Sequence, residues 1–265
     1  MKRRFDIHRL IDSALTLEAV GREVKGTMEQ YSISPGENAI VCLISCLDDH
    51  CTTVSECIKR KFQQFHHVPS ENDTAVIQMD QIYTMRLFGG LFLPNIKTYE
   101  SLIPAAHHIP NIEHGKLLVI QLTHIGYDSE LDIFGEFGRY GHDKTTAACG
   151  AIKSLYSAIV NSKTFPKDHD LNRLGAYLAE VVQQFDITPS EKGRDVLELT
   201  VRAFEKQIPW IKGQLLELAE HEHVDIVYIG GVELDMSSYK DFTYNDKIAV
   251  LSKCYISRDG ELKNL

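Results

Sequence analysis

The chain has 265 residues, 43% hydrophobic and 25% charged, which is room for one large domain or two small ones of about 100–200 residues and excludes a disordered or fibrous protein. Lys and Arg number 28 against 37 Asp and Glu, a net charge of −9, and this argues against nucleic acid or a membrane as partner, because both demand clustered cations. A small-molecule partner is the expectation that remains.

The apolar runs Ala39 to Ile44 and Leu117 to Ile120 fall far short of the ~20 residues that cross a bilayer. Met1-Lys2-Arg3-Arg4 is basic like the start of a secretory signal, but Asp6, His8, Arg9 and Asp12 interrupt the apolar stretch that should follow. A cytoplasmic location is therefore expected. The six cysteines (Cys42, Cys46, Cys51, Cys57, Cys149, Cys254) include no C-x-x-C pair, so reduced thiols rather than disulfides are expected.

In chain order, Phe5, Leu10, Ile11, Leu15, Leu17 and Val20 recur at helical spacing and predict one or two amphipathic helices over 5–30, capping the core or meeting a second subunit. After Pro35-Gly36, the run Ala39 to Ser45 is rich in branched residues, the pattern of a strand buried on both faces, and implies a parallel sheet. Thr52 to Phe65 has a helical pattern, Ala75 to Met79 a strand pattern, and Gly89-Gly90 marks a turn. Lys97 to His108 suggests a short helix with Pro104 inside or ending it.

Lys116 to Thr123 is a second buried strand, and His124 to Gly141, with four glycines, reads as a loop. A helix over Lys144 to Ser162 is predicted to start near Thr145-Thr146, where a hydroxyl can cap it. Leu171 to Phe185 and Glu191 to Glu222 are further helices, the second bent or broken at Pro209. Val224 to Leu234 and Lys247 to Ile256 close the chain as strands. The reading is one α/β domain.

In open α/β sheets ligands gather at the carboxyl ends of parallel strands. Cys46 follows the first strand, His124 follows the second, and Cys149 falls in the first turns of the next helix, whose N-terminus favours a thiolate. Two thiols and an imidazole suit tetrahedral zinc with one open position. They equally suit a Cys149 nucleophile with His124 as base, or two core thiols and a hydrogen-bonded loop histidine. Spacing alone leaves all three open. The glycines of 126–141 do not form a G-x-G-x-x-G turn between strand and helix, so nucleotide binding is a weak alternative.

An ordered series of motifs narrows the choice. Phe88-Gly89-Gly90, His107-His108-Ile109-Pro110, His124-Ile125-Gly126-Tyr127, Gly135-Glu136-Phe137-Gly138-Arg139 and Cys149-Gly150-Ala151 resemble the limiting-CO2-inducible B/C proteins, a group related to β-class carbonic anhydrases. Cys46-Leu47-Asp48-Asp49 resembles that family's Cys-x-Asp segment after an apolar strand. The resemblance runs from about residue 39 to about 151, with a weaker fit over Val224 to Ile256.

It implies a β-carbonic-anhydrase-like α/β fold with a largely parallel central sheet flanked by helices, residues 1–34 as a helical extension and 35–265 as the core. It also implies zinc held by Cys46, His124 and Cys149, Asp48 as hydrogen-bond acceptor for the metal's water, hydroxide attack on CO2 to give bicarbonate, and a homodimer. The family pattern places an Arg two residues beyond the Asp, to hold the carboxylate off the metal; here that position is His50. Arg86, Arg139 and Arg194 are the candidates to supply the missing guanidinium. Without one, Asp48 is free to close the water position, giving a zinc-containing relative with little turnover that binds bicarbonate or a partner protein.

Overall fold

The computed structural model describes residues 5–35, 37–46, 82–92, 98–109, 112–128, 131–138, 145–147, 149–165, 169–236 and 246–265. The N-terminal apolar spacing becomes two helices, α1 (Ile7–Ser13) and α2 (Leu17–Gln30), separated by the two-residue strand β1 (Leu15–Thr16). Asp6 and Thr16 cap them, each side chain accepting the backbone N–H three residues on, which satisfies a donor that has no partner within the helix. Val24 and Met28 of α2 are buried against Ala39, Val41, Leu118 and Ile120 of the sheet. These helices cap the core.

The strands that follow are β2 (Ala39–Cys46), β3 (Ile82–Leu87), β4 (Lys116–Asp128), β5 (Ile133–Phe134), β6 (Glu136–Gly138), β7 (Thr145–Ala147), β8 (Asp225–Asp235), β9 (Lys247–Ile256) and β10 (Leu262–Asn264). Among the described residues the sheet order is β1-β9-β8-β4-β2-β3, with β10 added to β9 and β5 to β4. β3, β2, β4 and β8 run parallel, while β9 is antiparallel to β8. Every residue of β2 is buried, as its unbroken apolar run requires once helices cover both faces.

The remaining helices are α3 (Ile103–His107), α4 (Gly150–Val160), α5 (His169–Phe185) and α6 (Arg194–Glu222). At 1.5 Å per residue, α6 is about 44 Å long and serves two clusters. Its Ile211, Leu215, Leu218 and Ala219 pack with Cys42, Ile44, Val119 and Tyr228 on one sheet face. Its Val196, Leu197, Val201 and Phe204 pack with α4, α5 and the carboxyl ends of the central strands.

Several expectations are corrected. The second buried strand does not stop at Thr123: β4 continues through His124 to Asp128, paired residue for residue with β8 as far as Gly126, so part of the expected loop 124–141 is sheet. Thr145 to Ala147 pair with Glu136 to Gly138 as strand, and the helix expected to start there begins only at Gly150. α6 passes through Pro209 unbroken and starts at Arg194, after a 3-10 turn at Glu191–Gly193. The expected 97–108 helix is a 3-10 turn (Thr98–Ser101) and then α3, with Pro104 in its first turn, where the missing N–H costs nothing. The expected helix over 52–65 and strand over 75–79 lie outside the described residues. Among the described residues, no helix is long and apolar enough to cross a membrane.

Candidate metal centre

Cys46 is the last residue of β2 and lies on the carboxyl edge of the parallel strands. His124 lies in β4, in register with Glu233 of β8. Cys149 is the N-cap of α4, in the left-handed region with φ 52°. It stands before the helix rather than in its first turns. All three are buried: 3%, 1% and 2% exposed.

Their ligand atoms lie within 4.8 Å of one another, and the Cys46 and Cys149 sulfurs are 4.0 Å apart. Two thiolates on a tetrahedral zinc at about 2.3 Å stand roughly 3.8 Å apart, so the sulfurs have nearly the metal-bound spacing. His124 Nδ1 is 2.8 Å from Asp235 Oδ2. Its Nε2 is buried and meets no hydrogen-bond partner among the described residues, a costly state for a ring nitrogen unless something else takes its lone pair. Two sulfurs, one orphaned imidazole nitrogen and this spacing fit a soft divalent ion.

The electrostatics hold protons on these groups and correct the thiolate expected at Cys149. Burial lowers the pKa of His124, but the Asp235 carboxylate and Cys149 outweigh it and hold the ring well above its ordinary value. Cys149 is held well above the ordinary thiol range by the Cys46 thiol and by burial, against the pull of His124. A cation binding there displaces the thiol protons. The walls are apolar, since Cys46, Cys149, Leu91 and Ile125 belong to one buried cluster.

Asp48 and His50 lie outside the described residues, as does Arg139. Of the other two arginines, Arg194 is bonded to Asp132 at 3.2 Å, whereas Arg86 on β3 donates through Nη1 to the Cys46 carbonyl at 3.3 Å. Sequence reasoning missed the acidic group behind His124. Glu233, Asp235 and Asp246 are buried, with carboxylate oxygens within 4.8 Å of one another. Burial, then the neighbouring Asp235 and Asp246 charges, hold Glu233 well above the carboxylate range. The signal was in the sequence: carboxylates two apart at the carboxyl end of a strand otherwise apolar.

The family profile of limiting CO2-inducible proteins B/C β-carbonic anhydrases matches residues 99–252. No curated protein sequence matches the chain. The fold is similar to that of PtLCIB4, a homolog of the limiting CO2-inducible protein LCIB, with TM-score 0.71 and 18% identity over 97% of this chain and 97% of that one. It is also similar to that of LCIB, with TM-score 0.60 and 17% identity over 98% of this chain and 96% of that one. A more distant likeness, TM-score 0.41 and 12% identity over 93% of this chain and 88% of that one, is to the β-carbonic anhydrase CafA of Aspergillus fumigatus.

Proposed function

The chain belongs to the family of limiting CO2-inducible proteins B/C β-carbonic anhydrases, and from that premise we propose that it holds one zinc ion through Cys46, His124 Nε2 and Cys149 and catalyses the reversible hydration of CO2 to bicarbonate. The observation that carries this reading is the buried Nε2 of His124, without a hydrogen-bond partner among the described residues, on a ring that has a nitrogen within 4.8 Å of two cysteine sulfurs. A bound zinc supplies a Lewis acid that brings the pKa of water down to ~7. Cys46 and Cys149 neutralise the ion with two thiolates, and the apolar walls around them suit a small uncharged substrate. In this reading Asp48 would accept a hydrogen bond from the reacting water and orient it toward CO2, and His50 would hold that carboxylate in the role that the family's Arg fills. The active unit is a homodimer in the cytoplasm, where thiols stay reduced.

A second reading rests on His50. With no Arg two residues beyond Asp48, the carboxylate is held less firmly, and a zinc-containing protein with little turnover that binds bicarbonate or a partner protein follows. Metal analysis of purified protein, combined with a stopped-flow CO2 hydration assay, tests both. About one zinc per chain with hydration supports the enzyme, zinc without hydration supports the second reading, and absence of zinc removes both.

A further inference from the structure

The zinc reading accounts for Nε2 of His124 but not for the groups behind the ring. A neutral imidazole carries one N–H, and which nitrogen bears it decides which nitrogen can bind a metal. His124 Nδ1 meets Asp235 Oδ2 at 2.8 Å, with both side chains at or below 1% exposure. A carboxylate accepts and does not donate, so this contact keeps a proton on Nδ1, and the proton given up when a metal binds is the one on Nε2.

Asp235 is well placed to hold that ring. It ends β8, two residues beyond Glu233, and pairs in register with Gly126, two residues beyond His124. Its side chain and the ring thus rise from adjacent strands on the same side of the sheet. The next residue is fixed as well: Met236 N donates to Asp246 Oδ1 at 3.0 Å, tying the end of β8 to the residue that leads into β9. Resting on the zinc reading above, we propose that Asp235 is a positioning residue, which fixes the tautomer and orientation of His124 so that Nε2 is the metal-binding nitrogen. It touches neither substrate nor metal and acts through the ring. Glu233, equally buried, stands beside Asp235 but has no hydrogen bond to His124, which makes it the natural control.

The test compares wild type, Asp235→Asn and Glu233→Gln, with unfolding temperature recorded for each. Zinc affinity is measured by chelator competition, and the His124 Nδ1–H proton is followed by nitrogen-edited NMR with and without zinc. Wild type is expected to show a downfield, exchange-protected Nδ1–H signal in both forms. Asp235→Asn is expected to move that signal upfield and to weaken zinc binding about 10- to 100-fold, with Glu233→Gln changing affinity less than Asp235→Asn does. A merely structural role would lower the unfolding temperature of both variants and leave the signal in place. The inference is overturned if Asp235→Asn leaves the signal where it was, or weakens zinc no more than Glu233→Gln does. Failure of wild type to take up zinc removes the zinc reading instead, and the metal-free NMR signal keeps the two failures distinct.

Discussion

A histidine buried in the middle of a strand has two ring nitrogens to satisfy and no water to help. At His124 Nδ1 meets Asp235, Nε2 has no hydrogen-bond partner among the described residues, and two thiols lie close to the ring; the proposed metal would satisfy the second nitrogen. Cys149→Ala and His124→Ala should each take zinc content from about one per chain to near zero, because two remaining protein ligands do not close a tetrahedral site. Full zinc retention in both variants, by elemental analysis, would exclude this centre. His50 sets a second residue-scale expectation. A histidine offers a carboxylate no fixed bidentate fork, whereas an Arg stays charged and can grip both oxygens. His50→Arg should raise CO2 hydration at pH 7.5 by about tenfold, worth ~1.4 kcal/mol in the transition state, at equal zinc content. An unchanged rate would assign the restraint of Asp48 to another group.

At the scale of elements, the edge that carries the centre is held by the turn at Phe88–Gly90 (FGG) leaving β3. Thr123 Oγ1 donates to the Gly89 carbonyl at 2.6 Å, and Gln121 Nε2 donates to that of Gly90 at 3.0 Å. Tyr228 donates its hydroxyl to Gln121 Oε1 at 3.0 Å from the neighbouring strand. Gly90 has φ +64°, and a Cβ there would stand 2.1 Å from the Leu122 carbonyl oxygen, so both its conformation and its contact demand glycine. Gly90→Ala should cost about 2 kcal/mol or more of unfolding free energy and loosen zinc binding with it, as read by denaturant titration and metal analysis. Tyr228→Phe should cost about 1–2 kcal/mol, because it leaves Gln121 Oε1 buried without its donor.

At the scale of the whole molecule, the proposed ligands come from three distant stretches of chain, which only the folded state brings together. Zinc held by them would stabilise the native protein alone, by ~4 kcal/mol when free ion exceeds the dissociation constant a thousandfold. Stripping it with a chelator should lower the unfolding temperature by roughly ten degrees, and restored zinc should recover it; a scan unmoved by chelation would mean that no such metal supports the fold. Legible in the sequence were the buried strands β2 and β8 and the start of β4, because a strand covered on both faces must be largely apolar, and the half-buried strand β9. The N-terminal helices were legible too, and, with the family's motifs, Cys46, His124 and Cys149 as one set. Tertiary structure alone decided where β4 ends, since beyond Thr123 the strand is held by backbone pairing to β8, which leaves no mark in side-chain periodicity. The same holds for β7, which pairs with β6 where a helix was expected. It alone placed Asp235 behind His124, 111 residues earlier in the chain, because the contact depends on the register between two parallel strands, and no local pattern records that register.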